Sequence, residues 1–223
     1  MTRRYEAAIF DMDGTLLDSM GFWRTLIARY LASMGLRLDE DTDEGLYAMT
    51  LEEGAILLKK RFGIEKSVPE IVQDTLGLAD AFYRDEVPLK PGAGALIGAL
   101  ASKGLPICVA SLSPMRFIEA GLSRHGLLDR FAFTLSCYGE NLDKASPEIY
   151  LNACARFGTA PDRTLVFEDS PVAAETAARA GFGVIGVRDD CFPGSAGALD
   201  RVCLAVLDEP GDFLKTDIFS AIA

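Results

Sequence analysis

Histidine is almost missing from this chain: His125 stands alone among 223 residues. A Ser-His-Asp triad or a multi-histidine metal site therefore has almost no material. Cysteine is scarce and odd in number. Cys108, Cys137, Cys154, Cys191 and Cys203 include no CxxC pair, which argues against a zinc site and a disulfide framework alike. A reducing, cytoplasmic setting with thiols buried as small hydrophobes is expected. Positive charge is in deficit, with 22 Lys+Arg against 33 Asp+Glu and a net charge of -11. Nucleic-acid phosphates and anionic membranes both reward clustered lysine and arginine, so neither is expected as a partner. No run approaches the roughly 18 apolar residues of a membrane-spanning helix. Glu6 and Asp11 interrupt any apolar core behind Met-Thr-Arg-Arg, so a secretory leader is not expected either.

What the chain does have is apolar material. Hydrophobic residues make up 49% of it, too much for disorder. At this length a folded chain buries roughly 70–75% of its unfolded surface, enough for a core without staples. Short apolar runs recur at Ala7–Phe10, Ile107–Ala110, Phe131–Ser136, Leu165–Phe167, Val184–Val187 and, more weakly, Cys203–Val206. Near-continuous apolar strands mark a parallel sheet buried on both faces. Helical patterns lie between them at 92–103, 114–126, 147–157 and 171–180, often opening at Pro and closing at Gly. The expected fold is α/β, a doubly wound parallel sheet.

One segment breaks the alternation. Residues 20–34, 51–62 and 68–84 read as amphipathic helices, the last as one or two, with no strand among them. A helical insert is expected at 20–88, inside a core made of 1–19 and 89–223. The stretch Val87-Pro88-Leu89-Lys90-Pro91-Gly92 reads as the return linker. Phe22, Trp23, Tyr47, Met49 and Phe82 are candidates to line the insert's inner face, with an internal packing role preferred for Trp23 and Phe82. Lys59 and Lys60 read as helix-face charges.

The strongest local feature is Asp11-Met12-Asp13-Gly14-Thr15, directly after the first strand. Ligands of such sheets gather at the carboxyl ends of the strands. Alternation lets Asp11 and Asp13 point the same way. Two carboxylates ~4 Å apart repel by about 4 kcal/mol at an effective dielectric of about 20, so a shared proton or a divalent cation must offset them. Three more strand ends carry polar groups: Ser111-Leu112-Ser113, Lys144, and Glu168-Asp169-Ser170. Singly, each has a plainer role. Ser113 and Ser170 read as helix N-caps, Lys144 as a solvated charge, and Glu168-Asp169 as acids near a helix N-terminus. Jointly, carboxylates, a hydroxyl and a lysine on one rim make a site for phosphate and magnesium.

These motifs resemble those of the haloacid dehalogenase-type phosphohydrolases. Asp11-Met12-Asp13-Gly14-Thr15, Ser111, Lys144 and Glu168-Asp169 match in order, and Phe167 to Pro171 followed by Ala177 and Ala180-Gly181 matches the surroundings of the last motif. The resemblance covers about 5–19 and 89–207. Ala145-Ser146-Pro147 stands where relatives usually show Pro-x-Pro, and Ala173 where Gly is common. The resemblance implies Asp11 as nucleophile and Asp13 as general acid and base. It implies phosphate binding by Ser111, Lys144, Leu112 and Gly14. It implies Mg²⁺ held by Asp11, Asp169 and Asp13 (through its backbone carbonyl), with Glu168 as neighbour or water-mediated ligand. It also implies a helical cap at the insert. A small phosphorylated metabolite is the implied partner of a monomer or weak homodimer. Asp13 favours phosphate over carbon–halogen chemistry. A sugar phosphomutase of the same family is the alternative, although Trp23 and Leu51 stand where such relatives carry His and Arg. A phosphoacceptor signalling domain ranks below both, because its acceptor aspartate lies mid-chain.

Overall fold

The computed structural model describes residues 5–38, 49–140, 142–191 and 196–222; Tyr47, a candidate above, lies outside them. The chain divides into two compact units, Met1–Ser19 with Val87–Ala223, and Met20–Glu86.

The first unit is built on six strands: β1 (Ala7–Phe10), β2 (Ile107–Ser111), β3 (Phe133–Ser136), β4 (Thr164–Glu168), β5 (Gly183–Val187) and β6 (Ala205–Leu207). They form one sheet in the order β3-β2-β1-β4-β5-β6, every pairing parallel. This is the expected doubly wound α/β sheet. The four central strands are wholly buried, while β3 and most of β6 are half-buried, as befits the two edges. Alternation sends Ile9, Cys108, Ala110, Val166 and Val184 to one face, where Tyr150, Ala153, Ala174 and Ala177 cover them. Phe10 and Phe167 point the other way and stack at 4.3 Å, and Phe213 meets Phe167 edge-on at 4.9 Å.

β4 and β5 each start one residue before their apolar runs, and two strands start two residues after theirs. β3 begins at Phe133 rather than Phe131, because Phe131 closes a short 3₁₀ turn at Leu128–Arg130. β6 begins at Ala205 rather than Cys203, because the Cys203 N–H still donates to the helical Leu199 carbonyl.

The second unit holds α1 (Met20–Ser33), α2 (Leu51–Phe62) and α3 (Val68–Asp85). The third of these is one continuous helix, opened by a Ser67/Glu70 capping box and Pro69. Thr50 and Glu53 cap α2 in the same way. Lys59 donates to the carbonyls of Ile64, Glu65 and Lys66 just beyond α2, so it fastens that turn rather than standing free on a helix face. Phe82 stacks on Phe22 at 4.0 Å and the Trp23 indole N–H donates to the Tyr83 hydroxyl at 2.8 Å; both anchor this unit internally. Met49 is exposed.

In the first unit the two connections flanking the helical insert run beside each other. Leu17 bridges Leu89, Asp18 N–H donates to the Pro88 carbonyl, and Lys90 N–H donates to the Leu16 carbonyl. The Lys90 ammonium is buried against Asp189 at 2.8 Å and also donates to the Arg188 carbonyl. The linker then turns at Gly92 (φ 76°), where a Cβ would stand 2.6 Å from the Gly211 Cα. Around the sheet lie α4 (Ala93–Ser102), α5 (Met115–Arg124), α6 (Glu148–Phe157), α7 (Pro171–Arg179), α8 (Ala196–Val202) and α9 (Asp217–Ser220). Among the described residues no helix is long and apolar enough to cross a membrane. All five cysteines are free thiols, three of them buried.

Candidate active site

Four strand ends deliver the site. Asp11 follows β1 and its N–H donates to the Phe167 carbonyl, which holds the end of β1 against β4. Glu168 is the last residue of β4 and Asp169 the next. Register across β1 and β4 pairs Phe10 with Phe167, so Asp11 and Glu168 emerge side by side. Ser111 ends β2. Lys144 comes from the loop between β3 and α6.

The side chains meet in a buried knot. The Lys144 ammonium donates to Asp11 Oδ1 and to Glu168 Oε1. It is 5% exposed, so the reading of Lys144 as a solvated charge is excluded. Asp11, Glu168 and Asp169 each offer an oxygen within 4.8 Å of the others. Three buried carboxylates thus face one ammonium, and the electrostatics follow from that. Asp11 is pushed up to about 7; burial is the largest cause, Lys144 opposes it, and Glu168 and Asp13 add to it. Asp169 is raised too, by burial and then by the charges of Asp11 and Glu168. Burial alone would lower Lys144, but Asp11 and Glu168 together hold it above its ordinary value. An all-oxygen set carrying this much buried negative charge fits a hard divalent cation.

Asp13 lies outside that carboxylate group. Its two oxygens are held separately: Ser19 Oγ donates to Oδ1 and Ser113 Oγ to Oδ2, each at 2.6 Å. Ser113 is therefore not the cap of α5, whose N-cap position is Pro114 without a side-chain bond. Ser113 N–H in turn donates to Ser111 Oγ at 3.0 Å, and Ser136 Oγ donates to the Ser113 carbonyl. Ser170 occupies the N-cap position of α7 but makes no side-chain capping bond; its N–H donates to Glu168 Oε2 at 3.3 Å. Gly14 turns the chain at φ 83° and its N–H is taken by the Leu17 carbonyl. Leu112 is exposed at the loop tip.

Three contributors have no role assigned from the sequence. Thr15 Oγ1 donates to Asp169 Oδ1 at 3.2 Å. Ser19, whose Oγ holds Asp13 Oδ1, belongs to no motif. Tyr150, within the helical pattern at 147–157, donates its hydroxyl to Glu168 Oε1 at 2.9 Å. The motif spacing offered a signal for Thr15 alone, since it lies within the first motif.

The family model for haloacid dehalogenase-like hydrolases matches residues 5–181, which takes in all four strand ends. The chain belongs to this hydrolase family. Among curated relatives, (DL)-glycerol-3-phosphatase 1, mitochondrial, of Arabidopsis thaliana is 32% identical over 90% of this chain and 70% of its own length. Hexitol phosphatase B of Escherichia coli (strain K12) is 29% identical over 75% of this chain and 77% of its own. Among solved structures, a candidate beta-phosphoglucomutase of Thermotoga maritima superposes with a TM-score of 0.81 at 26% identity, covering 94% of this chain and 97% of that one.

Proposed function

We propose that this hydrolase is a Mg²⁺-dependent phosphatase that cleaves the monoester of a small phosphorylated metabolite through an aspartyl-phosphate. The observation that carries the reading is the Lys144 ammonium shared between Asp11 and Glu168, with Asp169 beside them. A carboxylate is a competent covalent nucleophile, and phosphoryl transfer asks chiefly for in-line positioning and compensation of charge on the equatorial oxygens.

An Asp11 carboxylate oxygen attacks phosphorus as the ester P–O bond breaks, and Asp13 gives its proton to the leaving alkoxide. Asp13 then takes a proton from water as that water attacks phosphorus, which frees inorganic phosphate and restores Asp11. Lys144 and Ser111 hold the phosphoryl oxygens throughout. Asp11, Asp169 and the Asp13 backbone carbonyl would hold the cation, with Glu168 as neighbour. When bound, Mg²⁺ supplies positive charge against the phosphoryl oxygens and the buried acids. Choice of substrate is assigned to the helical unit, acting as a cap.

Two expected results follow from this chemistry. Asp13→Asn should cut turnover of an alkyl phosphate by about 10²–10⁴-fold. With p-nitrophenyl phosphate, whose leaving group needs little protonation, the variant should still release a burst of one nitrophenolate per chain before slowing. Rapid-mixing absorbance checks this; an absent burst together with full loss of the first step would place Asp13 elsewhere in the mechanism.

The second result concerns pH. Burial pushes the Asp11 carboxyl from its ordinary value of 3.8 up to about 7 in the folded protein. Between those values the folded form keeps a proton that the unfolded form has lost, so this group's contribution to stability falls as pH rises through that window. Metal-stripped protein should melt lower near pH 8 than near pH 5.5, and Mg²⁺ should raise the melting temperature more at the higher pH. Thermal denaturation with and without Mg²⁺ checks both; equal Mg²⁺ effects at the two values would contradict it.

The phosphomutase reading is supported by the likeness to the Thermotoga maritima structure. Trp23 speaks against it, since its indole is committed to Tyr83. Glucose 1-phosphate with Mg²⁺ separates the two: free phosphate supports the phosphatase, isomerised sugar phosphate the mutase.

A further inference from the structure

Tyr150 sits on α6 with no exposed surface, and its ring stands 5.9 Å from the Lys144 ammonium. Phenylalanine would fill that space without a polar atom to bury. A buried hydroxyl is costly unless it is bonded, and this one is bonded to a single carboxylate oxygen, Glu168 Oε1, at 2.9 Å. The same oxygen accepts from Lys144 at 2.5 Å. The other oxygen, Oε2, accepts the Ser170 N–H at 3.3 Å. Glu168 is thus gripped at both oxygens by three donors from three segments, and its carboxylate has no freedom to swing. Lys144 in turn is aimed by the two acids it bridges.

We infer that Tyr150 is a positioning residue: through its hydroxyl it fixes Glu168, and through Glu168 it fixes the Lys144 ammonium beside the Asp11 carboxylate. No motif of the family resemblance includes it. The inference deepens the phosphatase reading and rests on it for the catalytic consequence, while the geometric part stands on its own. Losing the hydroxyl leaves Glu168 Oε1 one donor short, so the Glu168–Lys144 pair relaxes to a different geometry. A displacement of even a fraction of an ångström in a group that must meet an in-line transition state costs rate more than it costs binding.

The test uses the full chain with Tyr150→Phe. In metal-free protein labelled with ¹⁵N-lysine, the Lys144 ammonium resonance, assigned by its loss in Lys144→Met, should move or broaden relative to the parent. With p-nitrophenyl phosphate and Mg²⁺, kcat should fall about tenfold while KM stays within about twofold. An unmoved resonance overturns the inference whatever happens to kcat or to thermal stability, and a moved resonance with unchanged kcat overturns its catalytic part. A moved resonance in a protein whose parent shows no turnover keeps the geometric claim and removes the phosphatase reading. Glu168→Gln is the second variant, informative even if Tyr150→Phe does not fold. It should shift the Lys144 resonance with Tyr150 intact, and a resonance at the parent position there contradicts the inference.

Discussion

Asp11→Asn is expected to abolish phosphate release, with a loss of about 10⁴-fold or more, while the protein keeps its fold. The amide matches the carboxylate in size but is a poor nucleophile, and it removes one negative charge from a buried cluster. Asp11 lies almost wholly inside the rim, and burial raises its pKa to about 7. Relieving that charge should leave the metal-free variant at least as stable as the parent. Coupled phosphate assay and thermal denaturation, run together, check the pair of outcomes. Near-normal turnover by the variant would remove Asp11 as nucleophile, and a collapsed fold would make its role structural.

Lys144→Met is expected to be the most disruptive single change to the resting protein. The ammonium is the counter-charge that Asp11 and Glu168 share, and both partners are buried with it. Breaking a buried pair by removing one member leaves uncompensated charge, at a cost of about 3–5 kcal/mol. Part of that loss should return with Mg²⁺, which would supply charge to the same acids. Turnover should fall by about 10²–10³-fold even with Mg²⁺ present, because a donor to the phosphoryl oxygens is gone. Urea denaturation with and without Mg²⁺ measures the first effect and phosphate release the second. A variant as stable as the parent in the absence of metal would show that the carboxylates do not need this ammonium.

The sheet was legible because its strands are apolar on both faces: Ala7–Phe10 and the runs at 107, 165 and 184 announce burial residue by residue. The acids and Lys144 were legible because each follows such a strand directly, or lies in the loop that leaves one. What escaped reading depends on contacts rather than on patterns. Ser113 precedes a proline and a helix, the setting of an N-cap, yet its hydroxyl goes to Asp13, 100 positions away in the chain. Tyr150 occupies an apolar helical position, and nothing local distinguishes a tyrosine that merely packs from one whose hydroxyl meets a buried carboxylate on a neighbouring strand. Lys59 looks like any charge on a helix until the turn beyond α2 folds back and offers three carbonyls. The weak edge strand β6 starts two residues after its apolar run for a related reason. Cys203 and Leu204 are apolar enough for a strand, but Cys203 still belongs to the end of α8 by its hydrogen bond.

The most direct measurement is mass spectrometry of the protein quenched in acid during turnover of p-nitrophenyl phosphate with Mg²⁺. One added phosphoryl group is expected, located on the peptide that contains Asp11 and absent from Asp11→Asn. Sustained phosphate release with no phosphoryl group on that peptide, or with one carried by another residue, would contradict it.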